Sequence, residues 1–170
     1  MTIMTRADLV FALACAFLLI GCVSLPGSVN GTLEMKKLQE KYALFDGFSP
    51  NTAKMNDYIS ELSIISSNSS GETTSIVNAE LYSAQTFYYL SKAMDSSKSI
   101  NFNMIVCSSK EVKETRTFAK IALEKAGLAE KTISSLNGAQ LAELRTNLLD
   151  TVKGYGESAN KIIRFFDQKC

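Results

Sequence analysis

The apolar positions near the end of the chain recur at helical spacing. Seven intervals of three or four residues lead from Leu141 to Phe166, 25 residues further along the chain, which gives a mean step close to one α-helical turn of 3.6 residues. The pattern predicts a long amphipathic helix with one apolar stripe facing a core. The members of the stripe between these two ends are Leu144, Leu148, Val152, Tyr155, Ala159 and Ile162.

A second long helix is predicted just before this one. Ser108 and Glu111 have the spacing of a capping box, which marks a helix start. Asn137-Gly138 breaks the chain, and Asn137 with Gln140 is predicted to cap the last helix. Because most members of the apolar stripe are alanines, a neighbouring helix can approach closely. The stripe consists of Val112, Ala119, Ala122, Ala126, Ala129, Ile133 and Leu136.

A third long helix is predicted from the capping-box pair Ser69 and Glu72 to about Ser99. Two adjacent apolar stripes give it the wide face of a helix at the centre of a bundle. Residues 100–106 (INFNMIV) are apolar but too short for a further helix, and they predict a loop folded over the end of the bundle. The two stripes are Val77, Leu81, Ala84 and Tyr88, and Ile76, Ser83, Phe87, Leu90 and Met94.

Two shorter helices are predicted nearer the N-terminus. The first covers residues 33–45, with Leu38, Tyr42 and Phe45 on one side, and ends at Gly47. Ser49-Pro50 opens the second, which ends before a loop at residues 66–71. Its stripe consists of Met55, Tyr58, Ile59, Leu62 and Ile65.

No stretch of the sequence shows the period-two alternation of a β-strand. We therefore predict an all-α fold, an antiparallel up-and-down helical bundle of four main helices plus a short N-terminal helix. A small array of helical hairpins is the alternative.

The N-terminus carries the most specific motif of the sequence. Leu9 to Ile20 is an uninterrupted apolar run of twelve residues, well short of the roughly 20 that a membrane-spanning helix needs. Arg6 precedes the run, and Leu19-Ile20-Gly21-Cys22 closes it, with Leu at −3, Gly at −1 and Cys at +1. This arrangement resembles the lipobox of prokaryotic lipoproteins, and the resemblance covers residues 1–22 only.

The resemblance implies a signal peptide at residues 1–21 that is cut before Cys22. The Cys22 sulfur would carry a diacylglyceryl group, and the new amine would be acylated, typically with palmitate. Two or three acyl chains make a stable membrane anchor. Residues 22–31 would then be the lipidated cysteine and a flexible tether, and residues 32–170 the helical bundle domain, in the cell envelope on the periplasmic or extracytoplasmic side. An ordinary secretory signal and an uncleaved anchor are the alternatives.

The net charge and the amino-acid composition argue against several classes of function. The formal net charge is +1, and removal of Arg6 and Asp8 with the signal leaves it unchanged. This balance argues against nucleic-acid binding and against a basic membrane-binding face, so the lipid must supply the membrane attachment. The chain has no His, which excludes His-based metal sites and catalytic triads. We predict no cofactor and no metal site, and we find no nucleophile–base pair that would indicate an enzyme.

The cysteines predict one disulfide. Cys15 leaves with the signal and Cys22 takes the lipid, so Cys107 and Cys170 remain, outside the cytoplasm. Cys107 precedes one of the last two helices and Cys170 ends the other, and an antiparallel pair brings these positions together. Two unrelated thiols, or pairing of Cys170 with a second molecule, are the alternatives.

Three further features are candidates for chemistry. The aromatic cluster of Tyr82, Phe87, Tyr88 and Tyr89 is expected in the core rather than around a ligand. Gly154-Tyr155-Gly156 is interpreted as two tolerated helix glycines rather than a ligand contact. Glu80 lies in an apolar stripe and is expected at the edge of a solvated face rather than as a buried acid.

Two functions are compatible with these features of the sequence. The first is a non-catalytic envelope lipoprotein that binds a protein partner, as an accessory subunit of an envelope assembly. The second is a small-ligand-binding or sensing lipoprotein with a pocket between helices.

Overall fold

The computed structural model describes residues 29–42, 45–46, 49–50, 52–136 and 142–170. They form five helices that pack together, and a pair of two-residue strands that does not change the class, so the all-α prediction is confirmed. No helix in these ranges is both long and apolar enough to cross a membrane. The elements are α1 (Val29–Tyr42), β1 (Phe45–Asp46), β2 (Ser49–Pro50), α2 (Thr52–Asn68), α3 (Glu72–Ser97), α4 (Lys110–Ser134) and α5 (Ala142–Lys169).

Helix α3 is the centre of the fold. It packs against α1, α2, α4 and α5, which agrees with the wide apolar face predicted for it. Both predicted stripes contribute to the core, although Tyr88 and Met94 are only half-buried. The buried residues of α3 are Thr73, Ile76, Val77, Ala79, Glu80, Leu81, Ser83, Ala84, Thr86, Phe87, Leu90 and Ala93.

Helices α4 and α5 pack through small residues. The α4 stripe is buried at every predicted position, from Val112 to Leu136. A Cβ atom added to Gly156 would lie 3.3 Å from the Cβ of Ala126, so the missing side chain allows the two helices to approach closely. The described α5 stripe is buried at Leu148, Val152, Tyr155, Ala159 and Phe166 and half-buried at Ile162.

Two of the predicted helix caps are wrong. The Ser69 hydroxyl donates to the Ile65 carbonyl at the end of α2, and α3 instead begins after Gly71, which has φ +64° and provides no side-chain cap. Ser109, not Ser108, caps α4 by accepting from the Val112 N–H. At the first site the Ser69 hydroxyl bonds to the preceding helix instead, and at the second site the neighbouring Ser109 offers an equivalent hydroxyl.

The N-terminal boundaries also differ from the prediction. Helix α1 begins at Val29, inside the segment predicted as tether, and ends at Tyr42. Gly31 costs little in a first turn, whose N–H groups have no intrahelical partner in any case. Pro50 does not open α2 but pairs with Phe45 in the strand pair, where a residue without an N–H is tolerated. Outside the described residues lie the signal segment, Cys22, residues 23–28 and the predicted break and cap at residues 137–140.

Candidate functional site

The segment between α3 and α4 exposes three apolar side chains within five residues. Phe102 is 54% exposed, Met104 71% and Val106 54%. The loop predicted at residues 100–106 is present, but it is not folded closely over the bundle end. Among the described large apolar residues with high exposure, the others are separated along the chain (Leu33, Ile64, Leu123 and Leu128). We call Phe102, Met104 and Val106 the apolar loop.

The conformation of the apolar loop is set by local hydrogen bonds. The side-chain oxygen of Asn101 accepts from the Asn103 N–H at 3.0 Å, and the Asn101 carbonyl accepts from the Met104 N–H at 3.0 Å. Such an Asx-type turn is a standard use of Asn at chain reversals. The ring of Phe102 lies edge-on to the ring of Phe165 on α5, with 5.8 Å between the centroids. The loop is therefore attached to the end of α5 while most of its apolar surface faces solvent.

A disulfide joins this loop to the C-terminus. Cys107 is bonded to Cys170 with 5.5 Å between the Cα atoms, within the usual range of about 4.4–6.8 Å. The predicted intramolecular pairing is confirmed. An ion pair between Arg116 of α4 and Asp167 of α5 lies nearby. This end of the molecule is thus held by a covalent bond and an ionic contact.

Helices α1, α2 and α3 meet at a buried carboxyl group. Glu80 is only 1% exposed, and its Oε1 accepts from the Tyr58 hydroxyl at 2.6 Å and from the Gln39 amide nitrogen at 3.2 Å. Its other oxygen, Oε2, is buried and has no hydrogen-bond partner among the described residues. The prediction of Glu80 at a solvated edge is wrong, because α1 and α2 cover that side of α3. We call Gln39, Tyr58 and Glu80 the acid junction.

Burial determines the electrostatics of the acid junction. It raises the pKa of Glu80 above its ordinary value of 4.5, because a carboxylate loses its hydration there. The hydrogen bonds from Tyr58 and Gln39 oppose this shift, since they stabilise the charged form. Burial also raises the pKa of Tyr58 well above its ordinary value, and the neighbouring Glu80 raises it further. Burial therefore shifts the balance of Glu80 towards its neutral form, against the two hydrogen bonds that favour the carboxylate.

The sequence contained a partial signal for this junction. Glu80 follows Ile76 by one helical turn, within a stripe whose other members are apolar except for Ser83. The two donors come from other helices, so no spacing rule connects them to Glu80. Glu80 was therefore recognised as unusual from the sequence, but it was expected at the edge of a solvated face and is in fact buried.

The exposed face beside the acid junction carries a second carboxyl group. Glu61 of α2 accepts hydrogen bonds from the Tyr42 hydroxyl and from the Lys41 ammonium, the latter at 2.6 Å. These bonds, that from Lys41 first, lower the pKa of Glu61 below its ordinary value of 4.5. The two carboxyl groups that hold α1 are therefore shifted in opposite directions.

The remaining candidate residues are packed between helices. Phe87 is buried with its ring centroid 6.1 Å from that of Tyr155. Tyr88 and Tyr89 are half-buried, with rings edge-on at 5.3 Å. Tyr82 is half-buried against the core. The Tyr155 hydroxyl is buried, and none of the described residues forms a hydrogen bond with it.

Neither metal chemistry nor similarity to a known protein adds to this picture. Within the described ranges, no three His, Cys, Asp or Glu side chains are grouped so that they could hold a metal ion. No family model matches the chain, and no curated protein or solved structure matches it either. The features that bear on function are therefore the motifs of the sequence, the apolar loop and the acid junction.

We expect loss of the disulfide to destabilise the domain. The bridge joins residues 63 positions apart. In the chain-entropy model such a bridge stabilises by roughly 4 kcal/mol. Replacement of both Cys107 and Cys170 by Ala should lower the free energy of unfolding by about that amount in urea titrations. The matched control is the wild-type protein under reducing conditions, which should behave like the double variant. A loss below about 1 kcal/mol would show that the bridge does not constrain the unfolded chain as described.

Proposed function

We propose that this protein is a lipid-anchored envelope lipoprotein whose non-catalytic helical domain binds a protein partner, as an accessory subunit of an envelope assembly. The observation that carries the binding role is the apolar loop, which the disulfide ties to the bundle end. Exposed apolar side chains grouped at one place are typical of interaction sites.

Two features support an envelope location. The sequence Leu19-Ile20-Gly21-Cys22 resembles a lipobox, and the bonded pair Cys107–Cys170 fits an oxidising compartment. A formal net charge of +1 gives the domain little electrostatic attraction to anionic lipid. The acyl chains on Cys22 would then supply the membrane attachment.

We further propose that α2 to α5 form an antiparallel up-and-down bundle, with α1 added at one side. Contacts between α4 and α5 support this arrangement. Arg145, early in α5, donates to the carbonyl of Leu136, just after α4. Cys170, after α5, is bonded to Cys107, just before α4. In such a bundle the apolar loop lies at one end, where a partner can reach it without disturbing the helices.

A binding role fits the chemistry of the apolar loop better than a catalytic one. Phe102, Met104 and Val106 supply dispersion contacts and apolar area, but no group that titrates near neutral pH. Because the disulfide and the Asn101 turn hold the segment, less conformational entropy is lost when a partner binds. These properties suit a partner with an apolar groove.

Small-ligand binding or sensing is the second candidate function. It is supported by the Tyr155 hydroxyl, which is buried beside Phe87 with no hydrogen-bond partner in the described ranges. A ligand with a polar atom at this position would satisfy it.

The anchor is tested by Cys22→Ser in the native host. The variant cannot be acylated at sulfur, so it should move from the membrane fraction to the soluble fraction or accumulate with its signal attached. Fractionation with immunoblotting reads both outcomes. The variant Cys15→Ser is the matched control and should fractionate with the membrane like the wild-type protein. Normal maturation and membrane retention of the Cys22 variant would exclude the lipoprotein assignment.

The partner is tested by site-specific photocrosslinking. A photoreactive amino acid at Met104 should give one discrete crosslinked protein in native membranes. The same probe at Lys120, an exposed α4 residue away from the loop, is the control and should give none. Phe102→Ser combined with Val106→Ser should abolish the Met104 product. Equal products at both positions, or none at Met104, would rule out protein binding through the apolar loop.

A further inference from the structure

Helix α1 is attached to the rest of the fold from one side. It packs against α2 and α3, and its buried apolar contacts come from Met35 and Leu38. Its polar contact with the interior is Gln39, which donates to Glu80. The docking of α1 is therefore sensitive to the state of the Glu80 carboxyl group.

The two carboxyl oxygens of Glu80 differ in the number of hydrogen bonds that they accept. Tyr58 and Gln39 both donate to Oε1, whereas Oε2 is buried and has no partner in the described part of the chain. A neutral acid places its proton on Oε2 and leaves one uncharged hydroxyl unsatisfied. A carboxylate places negative charge on an oxygen that is shielded from solvent and has no donor among the described residues, which costs considerably more. The two donors to Oε1 favour the ionised form, whereas the buried Oε2, which has no donor among the described residues, favours the protonated acid.

We propose that the acid junction is a proton-controlled clasp, which holds α1 on the bundle while Glu80 is protonated and releases α1 when Glu80 ionises. Water reaches the carboxylate when α1 leaves, and this hydration drives the release. If Cys22 is lipidated as proposed above, released α1 would lengthen the connection between the membrane and the bundle. The clasp itself requires no lipid.

The direction of the pH dependence follows from the sign of the shift. Burial raises the pKa of Glu80, so its contribution to docking is fully present below the ordinary value of 4.5 and is lost as pH rises through the raised value. The groups facing Glu80 are Tyr58 from α2 and Gln39 from α1, and both hydrogen bonds oppose the shift without reversing it. The buried residues of α4 are all uncharged. On α5 the buried titratable group is Tyr155, whose pKa is raised by burial alone.

Glu61 acts on α1 with the opposite sign. Its pKa is lowered by Lys41 and Tyr42, so its contribution is present above the ordinary value of 4.5 and is lost as pH falls. The ion pair between Lys41 and Glu61 is exposed to solvent, and screening by the solvent makes such surface ion pairs weak. Glu61 therefore affects the acidic side of the docking profile, and Glu80 controls the side towards neutral pH.

The test is hydrogen exchange of the full-length protein followed by mass spectrometry. Protection factors of peptides covering α1 are corrected for intrinsic exchange and compared between about pH 4 and about pH 8. Protection of α1 should fall as pH rises, about tenfold for each unit by which the pKa of folded Glu80 exceeds its ordinary value. Peptides from α4 and α5 should keep their protection over the same range.

Three variants separate the clasp from general destabilisation. Glu80→Gln keeps an acceptor for Tyr58 and Gln39 but cannot ionise, so α1 protection should stay flat with pH. Tyr58→Phe removes a donor that favours the carboxylate, so release should move to higher pH. Glu61→Gln is the matched carboxyl control and should leave the fall towards neutral pH unchanged.

Several outcomes would overturn the clasp. They are flat α1 protection in the wild type, an unchanged fall in Glu80→Gln, and loss of protection that is equal in α1, α4 and α5. If Glu80→Gln does not fold, the clasp is tested by Tyr58→Phe instead. Release of α1 at an unchanged or lower pH in that variant would overturn the clasp. None of these outcomes bears on membrane attachment, which the Cys22→Ser fractionation decides separately.

Discussion

The fold depends on how one helix, α3, is buried, because each of the other described helices packs against it. Its two sides are buried by different physical means. Towards α4 and α5 the buried side chains are chiefly apolar or small, and the contact strength comes from dispersion and loss of hydration. Towards α1 and α2 the interface includes the Glu80 carboxyl group, which is stable there only with a proton or with strong donors. Under the proposed clasp, burial on the first side would not depend on pH, whereas burial on the second side would.

This difference divides the molecule into a permanent part and a conditional part. Helices α4 and α5 approach closely at Ala126 and Gly156 and are joined again by the Cys107–Cys170 bridge. The same bridge fixes the position of the apolar loop, so the proposed binding surface belongs to the permanent part. Helix α1 belongs to the conditional part and lies on the side of the chain that leads to Cys22. If the proposals above hold, the binding surface would stay intact while the connection to the membrane changes.

The features predicted correctly from the sequence are those encoded within single helices. The α4 stripe was predicted at every position, because one helix repeatedly facing the same neighbours produces a 3.6-residue period. The disulfide was predicted because few cysteines remained and helix lengths placed two of them together. The errors concern choices between competing partners. Ser69 serves the end of α2 rather than the start of α3, and Pro50 pairs in a strand rather than opening α2. Glu80 was misplaced because its burial depends on which helices cover α3, and no local pattern contains that information.

The account is tested most directly by the ionisation of Glu80 itself. Side-chain carboxyl carbons can be followed by 13C NMR as pH is varied, and Glu80→Gln identifies the Glu80 signal by its absence. We predict that Glu80 titrates above its ordinary pKa of 4.5 while Glu61 titrates below that value. A Glu80 signal that titrates at or below 4.5 would contradict the account, because the carboxyl group would then be stable in its charged form at the junction of the three helices.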